Sequence, residues 1–165
     1  LAKLYKPKIY VELGVKKGYT IKRMAEFVET AIGIDIAPPK LSIPNVEIIK
    51  GTTTEYAQAL TGSKPFIDML FIDADHEKEA VLWDFLSYLP YVRPGTGLIL
   101  LHDTHPVNDE LIQPGYCHNA WQAAEFIYKD YHTDVEIVTL PGPWAGLSIA
   151  RRLGPHHLAW KQEGR

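Results

Sequence analysis

Short apolar runs rich in Val and Ile alternate along the chain with helix-length amphipathic stretches, the pattern of a largely parallel sheet covered on both faces. Ile9 to Leu13, Ala31 to Asp35, Val46 to Lys50, Phe66 to Asp73 and Gly97 to Leu101 read as five strands. The apolar run Met69 to Ile72 marks the fourth as central and buried on both faces. Ile21, Met24, Ala25 and Val28 recur at helical spacing and predict a helix from Tyr19 to Glu29. Pro38, Pro39 and Pro44 forbid a long helix before the third strand, because each removes a backbone donor and fixes φ. Thr52 to Thr54 offer a cap for a helix running to Leu60. Another helix runs from Glu77 to Tyr91 and is closed by Arg93-Pro94-Gly95. Pro106 to His118 is irregular, and a helix from Asn119 to Tyr131 leads to two late strands, Val135 to Leu140 and Gly146 to Arg151, joined tightly enough to pair antiparallel. The predicted fold is α/β: a doubly wound, Rossmann-like, seven-stranded and mostly parallel sheet with an antiparallel terminal strand, in one domain over residues 1–165.

The length of 165 residues leaves no room for a second domain, and 46% hydrophobic residues build a core without disulfide or metal staples. Lys and Arg number 17 against 20 Asp and Glu, a net charge of −3 with neither sign in a block, so no nucleic-acid face is expected and a small ligand fits better. Cys117 is the sole cysteine, which excludes an intrachain disulfide and a thiolate cluster. No apolar run approaches the ~18 residues of a membrane span, so no membrane partner is expected and a cytoplasmic location is.

Open sheets of this kind bind ligands beyond the carboxyl ends of their strands, where Glu12, Asp35, Thr52, Asp73, His102 and Asp103 fall. Gly14 and Gly18 lie between a strand and a helix, where glycine admits close approach and a helix terminus offers N–H groups. Asp35 ends the next strand, 21 residues past Gly14, and a carboxylate there can accept both hydroxyl protons of a ribose. The plainer alternative makes the glycines a turn and Asp35 a cap. The Gly-x-x-x-Gly spacing departs from the Gly-x-Gly-x-x-Gly of a dinucleotide site, and Glu12 is poorly placed for a pyrophosphate. A cationic amino-acid nucleoside fits this end better than NAD.

Val11-Glu12-Leu13-Gly14-Val15-Lys16-Lys17-Gly18, Gly33-Ile34-Asp35, Phe71-Ile72-Asp73-Ala74-Asp75-His76 and the stretch Pro90 to Thr104 together resemble the motifs of class I S-adenosylmethionine-dependent methyltransferases. The last stretch, with Ala120-Trp121 and Gly146 to Arg152, is similar to the cephalosporin-hydroxylase-like and sugar O-methyltransferase subset, relatives of the catechol and caffeoyl-CoA enzymes. Lys16 stands where many members carry a further glycine, and the proline-rich stub after Asp35 replaces a helix that usually borders the adenine.

The resemblance implies S-adenosyl-L-methionine as cofactor, held by Glu12, Gly14, Gly18, Thr20, Asp35, Ile36, Gly51, Thr52, Thr53, Asp73, Asp75 and His76. It implies O-methylation of a small hydroxylated acceptor, a sugar or natural product. Its metal positions fall on Asp73, His102 and Asp103, which end adjoining strands; oxygen ligands suit Mg2+, while an imidazole shifts the preference toward another divalent cation. These residues can equally hold hydrogen bonds at strand ends. His76 aligns with a catalytic lysine and is the candidate base with Asp73 beside it; the alternative is a helix-start residue. His105 is a weaker candidate, the 106–118 segment a candidate acceptor wall, Trp83 and Trp121 packing residues, Trp144 a pocket-rim residue, and His156-His157 tail.

Three rivals stand beside this function. An NAD(P)-linked oxidoreductase lacks its Tyr-x-x-x-Lys, and a phosphotransfer enzyme built on Asp73-Ala74-Asp75 would carry that pair on its first strand. A catalytically degenerate S-adenosylmethionine-binding domain is favoured by the short stretch ahead of the first strand. The same shortness predicts a homo-oligomer, in which a second subunit closes the site against water.

Overall fold

The computed structural model describes residues 1–142 and 145–154. After a short helix α1 (Ala2–Tyr5) the elements are β1 (Ile9–Leu13), α2 (Tyr19–Met24), β2 (Thr30–Asp35), β3 (Val46–Lys50), α3 (Thr53–Ala59), β4 (Met69–Ile72), α4 (Lys78–Tyr88), β5 (Leu98–His102), α5 (Ala120–Asp130), β6 (Val135–Leu140) and β7 (Leu147–Arg152). The strands form one sheet in the order β3-β2-β1-β4-β5-β7-β6. β7 runs antiparallel to both of its neighbours, so it alone is reversed, and the predicted doubly wound sheet is present.

Alternation along each strand divides the core into two layers. Val11, Leu13, Leu70, Ile72, Ile99 and Leu101 face α3, α4 and α5, where Leu60, Phe85, Tyr88 and Ile127 meet them. Tyr10, Ala31, Met69, Phe71 and Leu100 face the other way, toward Val15 and Ile21. Gly33 permits that second layer: a Cβ on it would stand 2.6 Å from Val15 Cγ2 and 2.8 Å from Ile21 Cδ1.

Three elements are shorter than their sequence pattern predicts. α2 stops at Met24 rather than Glu29, because Asn45 Nδ2 donates to the carbonyls of Ala25 (2.9 Å) and Val28 (3.0 Å) and holds that stretch as a turn. β4 begins at Met69 rather than Phe66, since Phe66 and Ile67 donate instead to Tyr91 O and the Asp68 carboxylate turns to Arg93 and to the amides of Lys8 and Ile9. α4 ends at Tyr88, and Leu89–Tyr91 tightens into a 3-10 turn with Pro90 inside it. The crossover from β2 to β3 carries no helix, as the prolines require. Among the described residues no helix is long and apolar enough to cross a membrane.

Candidate active site

The loop after β1 is organised by Asp35 rather than left open. Asp35 Oδ2 accepts from Val15 N (2.9 Å) and Lys16 N (2.7 Å), and Oδ1 accepts from Ala37 N (2.7 Å). Gly14 N donates to Ile34 O and Gly18 N to Val15 O. Four amides of the loop are thus spent within the protein. Burial pushes the Asp35 carboxyl up, but the amides of Lys16, Ala37 and Val15 outweigh it and leave its pKa below the usual value. Gly14 has φ +85, and a Cβ there would meet the backbone of Asp73 and Ala74. The crossing of two strand ends therefore requires a glycine here.

Beyond these strand ends lies a cavity of about 850 Å³ bordered by Glu12, Thr20, Asp73, His76, His102 and Asp103. A pocket of about 300 Å³, with Gly51, Thr52, Thr53, Asp75 and Asp84 in its wall, adjoins it. The two volumes share Gly14, Asp35, Ile36 and Ala74, so together they make one elongated cleft. Gly18 supports the loop as the residue before α2. Thr52 is partly committed, because it and Glu55 close a reciprocal cap on α3. Glu12 is 1% exposed, and its Oε2 accepts from Tyr10 Oη at 2.6 Å. Burial pushes its pKa up to about 7 against that hydrogen bond, with the Asp73 charge adding to the rise.

At the other end of the cleft two carboxylates and two imidazoles converge. His102 Nδ1 lies 3.1 Å from Asp73 Oδ1 and 3.1 Å from Asp103 Oδ1. His76 Nε2 lies 3.3 Å from Asp103 Oδ2 and 4.0 Å from Asp73 Oδ1. The Asp103 and Asp73 carboxylates facing Nδ1 push the His102 pKa up to about 10 against burial. His76 Nδ1 contacts the Tyr116 carbonyl, which can only accept, so this nitrogen donates, while Nε2 is turned toward Asp103. Asp103 follows β5 with φ 59, an unusual left-handed conformation for a residue with a side chain. It also receives the Cys117 thiol at 3.6 Å, and burial pushes that thiol's pKa up to about 11.

The donor set fits a divalent cation. Ligating atoms of Asp73, His102 and Asp103 all lie within 4.8 Å of one another. His102 Nδ1 is buried, yet neither carboxylate contact has the alignment of a hydrogen bond. A lone pair aimed between two carboxylates calls for a cation among them, either a proton or a metal.

Sequence reasoning brought these strand-end residues together but missed others. Asp84 on α4 is 4% exposed and walls the smaller pocket. Trp83 is not a packing residue: it is exposed, donates from Nε1 to Thr54 Oγ1 and borders the same pocket. His105 stays outside the cluster and lines a groove against α5 and β6, beside the half-buried Trp121. The 106–118 segment divides, its first part walling that groove while Leu111, Tyr116 and Cys117 wall the main cavity. His118 pairs with Glu77 at 3.2 Å. Trp144 and His156-His157 lie outside the described residues.

A family described as a methyltransferase domain matches residues 11–104. Among solved structures, cofactor-bound Rv0187 from MTB superposes with a TM-score of 0.72 at 17% identity, covering 93% of this chain and 76% of that chain. An O-methyltransferase from Bacillus cereus in complex with SAH gives 0.68 at 18% identity, over 92% of this chain and 76% of its own. The O-methyltransferase TomG from Streptomyces achromogenes, involved in tomaymycin synthesis and solved with SAM, gives 0.67 at 19%, over 93% and 76%. At these identities the likeness concerns the fold. No curated protein sequence matches the chain.

Proposed function

The chain belongs to the methyltransferase domain family, and on that premise we propose that it transfers the methyl group of S-adenosyl-L-methionine to a hydroxyl of a small molecule. The observation that carries this is the single cleft joining a nucleoside-sized pocket at Thr53 and Asp84 to a carboxylate and imidazole cluster at Asp73 and His102. The cofactor, when bound, supplies an electrophilic methyl on a sulfonium.

The chain's own groups divide the remaining work. Glu12, when ionised, faces the cationic amino-acid end. Asp35 holds the loop and keeps lone pairs for the ribose hydroxyls, with Ile36, Ala74, Asp75, Gly51, Thr52 and Thr53 around the base. Thr20 and Gly18 complete the cofactor side. Asp73, His102 and Asp103 are the proposed ligands of Mg2+ or another divalent cation, which would orient the acceptor hydroxyl and lower its pKa. His76 Nε2 is the proposed base: it borders the cleft beside the cluster, and Asp103 at 3.3 Å would stabilise the imidazolium formed when it takes the acceptor proton. Alignment of acceptor oxygen, methyl carbon and sulfur is worth several kcal/mol when held by such fixed groups.

A second copy of the chain is the proposed cover. An apolar hollow of about 620 Å³, with Tyr10, Met24, Phe71, Leu100 and Leu147 in its wall, lies beside His102. Light scattering of the pure protein tests this, and a monomer at working concentration overturns it.

Titration calorimetry with S-adenosylhomocysteine and with NADH tests the function itself. Binding of the homocysteine derivative and none of NADH is expected; tight NADH binding alone would make the chain a nucleotide-linked oxidoreductase instead.

A further inference from the structure

The turn that follows β5 holds Asp103 in the left-handed region, at φ 59, with the buried Thr104 directly after it. A residue with a side chain keeps such a backbone only where its surroundings fix it. Here the surroundings are the first residues of β7. Ser148 is fully buried and is paired with Leu101 of β5 on one side and Thr139 of β6 on the other. Its Oγ donates to Thr104 Oγ1 at 2.8 Å, and the Thr104 hydroxyl donates at 3.5 Å to the Leu101 carbonyl, which can only accept. A hydroxyl has one proton to give, so Ser148 accepts from Thr139 Oγ1 at 2.7 Å. The hydroxyls thus run one way, from the exposed edge strand to the carbonyl two residues before Asp103. His105 N adds a backbone tie to Ala145 O at 2.6 Å.

Packing alone does not call for these groups. Ala150, two residues along the same strand, is buried as completely with no polar side-chain atom, and a methyl at Ser148 would avoid the cost of desolvating a hydroxyl. What the hydroxyls supply is direction, because a satisfied hydrogen-bond chain fixes the angle at which the turn leaves the strand. That angle sets the place of the Asp103 carboxylate, 3.1 Å from His102 Nδ1 and 3.3 Å from His76 Nε2. We infer that Thr104, held by Ser148, is a positioning residue that fixes Asp103 as a ligand of the divalent cation. This rests on the cation site proposed above.

Thr104→Val keeps the shape and removes the hydroxyl, whereas Thr104→Ser keeps the hydroxyl. Electron resonance measures Mn2+ binding to both variants and the wild type, and calorimetry measures S-adenosylhomocysteine. Thr104→Val should bind Mn2+ about 10-fold more weakly, the lower end for groups that orient metal ligands, and the spectrum of the bound ion should change. Thr104→Ser should stay within about threefold of the wild type and keep its spectrum, since the donor remains. S-adenosylhomocysteine affinity should stay within about twofold in both, because Thr104 borders neither part of the cleft and offers the cofactor no hydrogen bond. Asn45→Ala, which loosens the turn after α2, controls for stability alone and should leave Mn2+ affinity unchanged. Wild-type Mn2+ affinity and spectrum in Thr104→Val overturn the inference. So does a loss that Thr104→Ser does not recover, that Asn45→Ala reproduces, or that S-adenosylhomocysteine shares. If Thr104→Val does not fold, Ser148→Ala answers in its place with the same expectations, since it removes the donor to Thr104. A wild type that binds no Mn2+ overturns the cation site and this role with it; one that binds Mn2+ as Thr104→Val does overturns the role alone.

Discussion

Gly14 and Asp73 cross so closely at the carboxyl ends of β1 and β4 that a Cβ on Gly14 would stand 2.3 Å from the Asp73 carbonyl oxygen. The obstacle is backbone, which cannot swing aside as a side-chain tip can, and φ at Gly14 is +85. Gly14→Ala should therefore cost folding stability on the order of 2–4 kcal/mol, combining strain and overlap. Denaturant unfolding measures it. An unchanged midpoint with weakened cofactor binding would mean that the glycine serves the ligand alone.

Asp35→Ala should lose both stability and cofactor affinity, because the carboxylate accepts from three backbone amides before any ribose arrives. A loss of about 1–3 kcal/mol in unfolding free energy is expected, toward the lower end since the group is partly exposed. The pH dependence has a definite sign. The folded pKa is depressed, so the contribution is present above the unfolded value of about 4 and is lost as pH falls through the folded one. Urea midpoints of the wild type and Asp35→Ala should converge at low pH; parallel curves down to acid unfolding would contradict the role.

Glu12 titrates in the opposite sense. Its pKa rises from 4.5 unfolded to about 7 folded, so its stabilising contribution is complete below 4.5 and lost as pH climbs through about 7. At about 1.4 kcal/mol per unit, the cofactor-free protein should lose on the order of 3–4 kcal/mol across that window, and Glu12→Gln should lose much less. Cofactor affinity should move the other way, rising with pH as the carboxylate ionises toward a cationic ligand. A Glu12→Gln variant with the wild-type pH profile in both measurements would show that Glu12 does not ionise in the cleft.

The strands were legible because burial writes a simple code: a sheet covered on both faces needs unbroken apolar runs, and Met69 to Ile72 is such a run. Strand-end chemistry was legible for the same reason, since a topology that aligns strand ends brings Asp73 beside His102 and Asp103. What stayed hidden depends on partners distant in sequence. Asn45 ends α2 from 17 and 20 residues away, and the sequence near Val28 carries no sign of it. Asp84 sits in an amphipathic stretch where a carboxylate reads as solvated, and only the packing of α3 against α4 turns it inward. The further demand that the crossing of β1 and β4 makes on Gly14 leaves no mark in the local pattern.

The cluster of Asp73, His102 and Asp103 makes the last prediction, which needs no turnover to be read. Two carboxylates and a buried imidazole nitrogen within 4.8 Å repel or leave lone pairs unmatched unless a cation lies among them. Mn2+ added to the wild type should be bound and should stabilise it, by about 2.7 kcal/mol when the free ion is a hundredfold above its Kd. Asp103→Asn keeps the shape and removes one charge, so Mn2+ affinity should fall at least tenfold and the thermal shift should shrink with it. S-adenosylhomocysteine affinity should stay within about twofold, because a single hydrogen bond is worth more than that and Asp103 is assigned none to the cofactor. Manganese electron resonance and thermal melts check the first part, calorimetry the second. Mn2+ that neither binds nor stabilises the wild type would leave the carboxylates to a protonated His102, and equal loss of both ligands in Asp103→Asn would merge the two ends of the cleft that the geometry keeps apart.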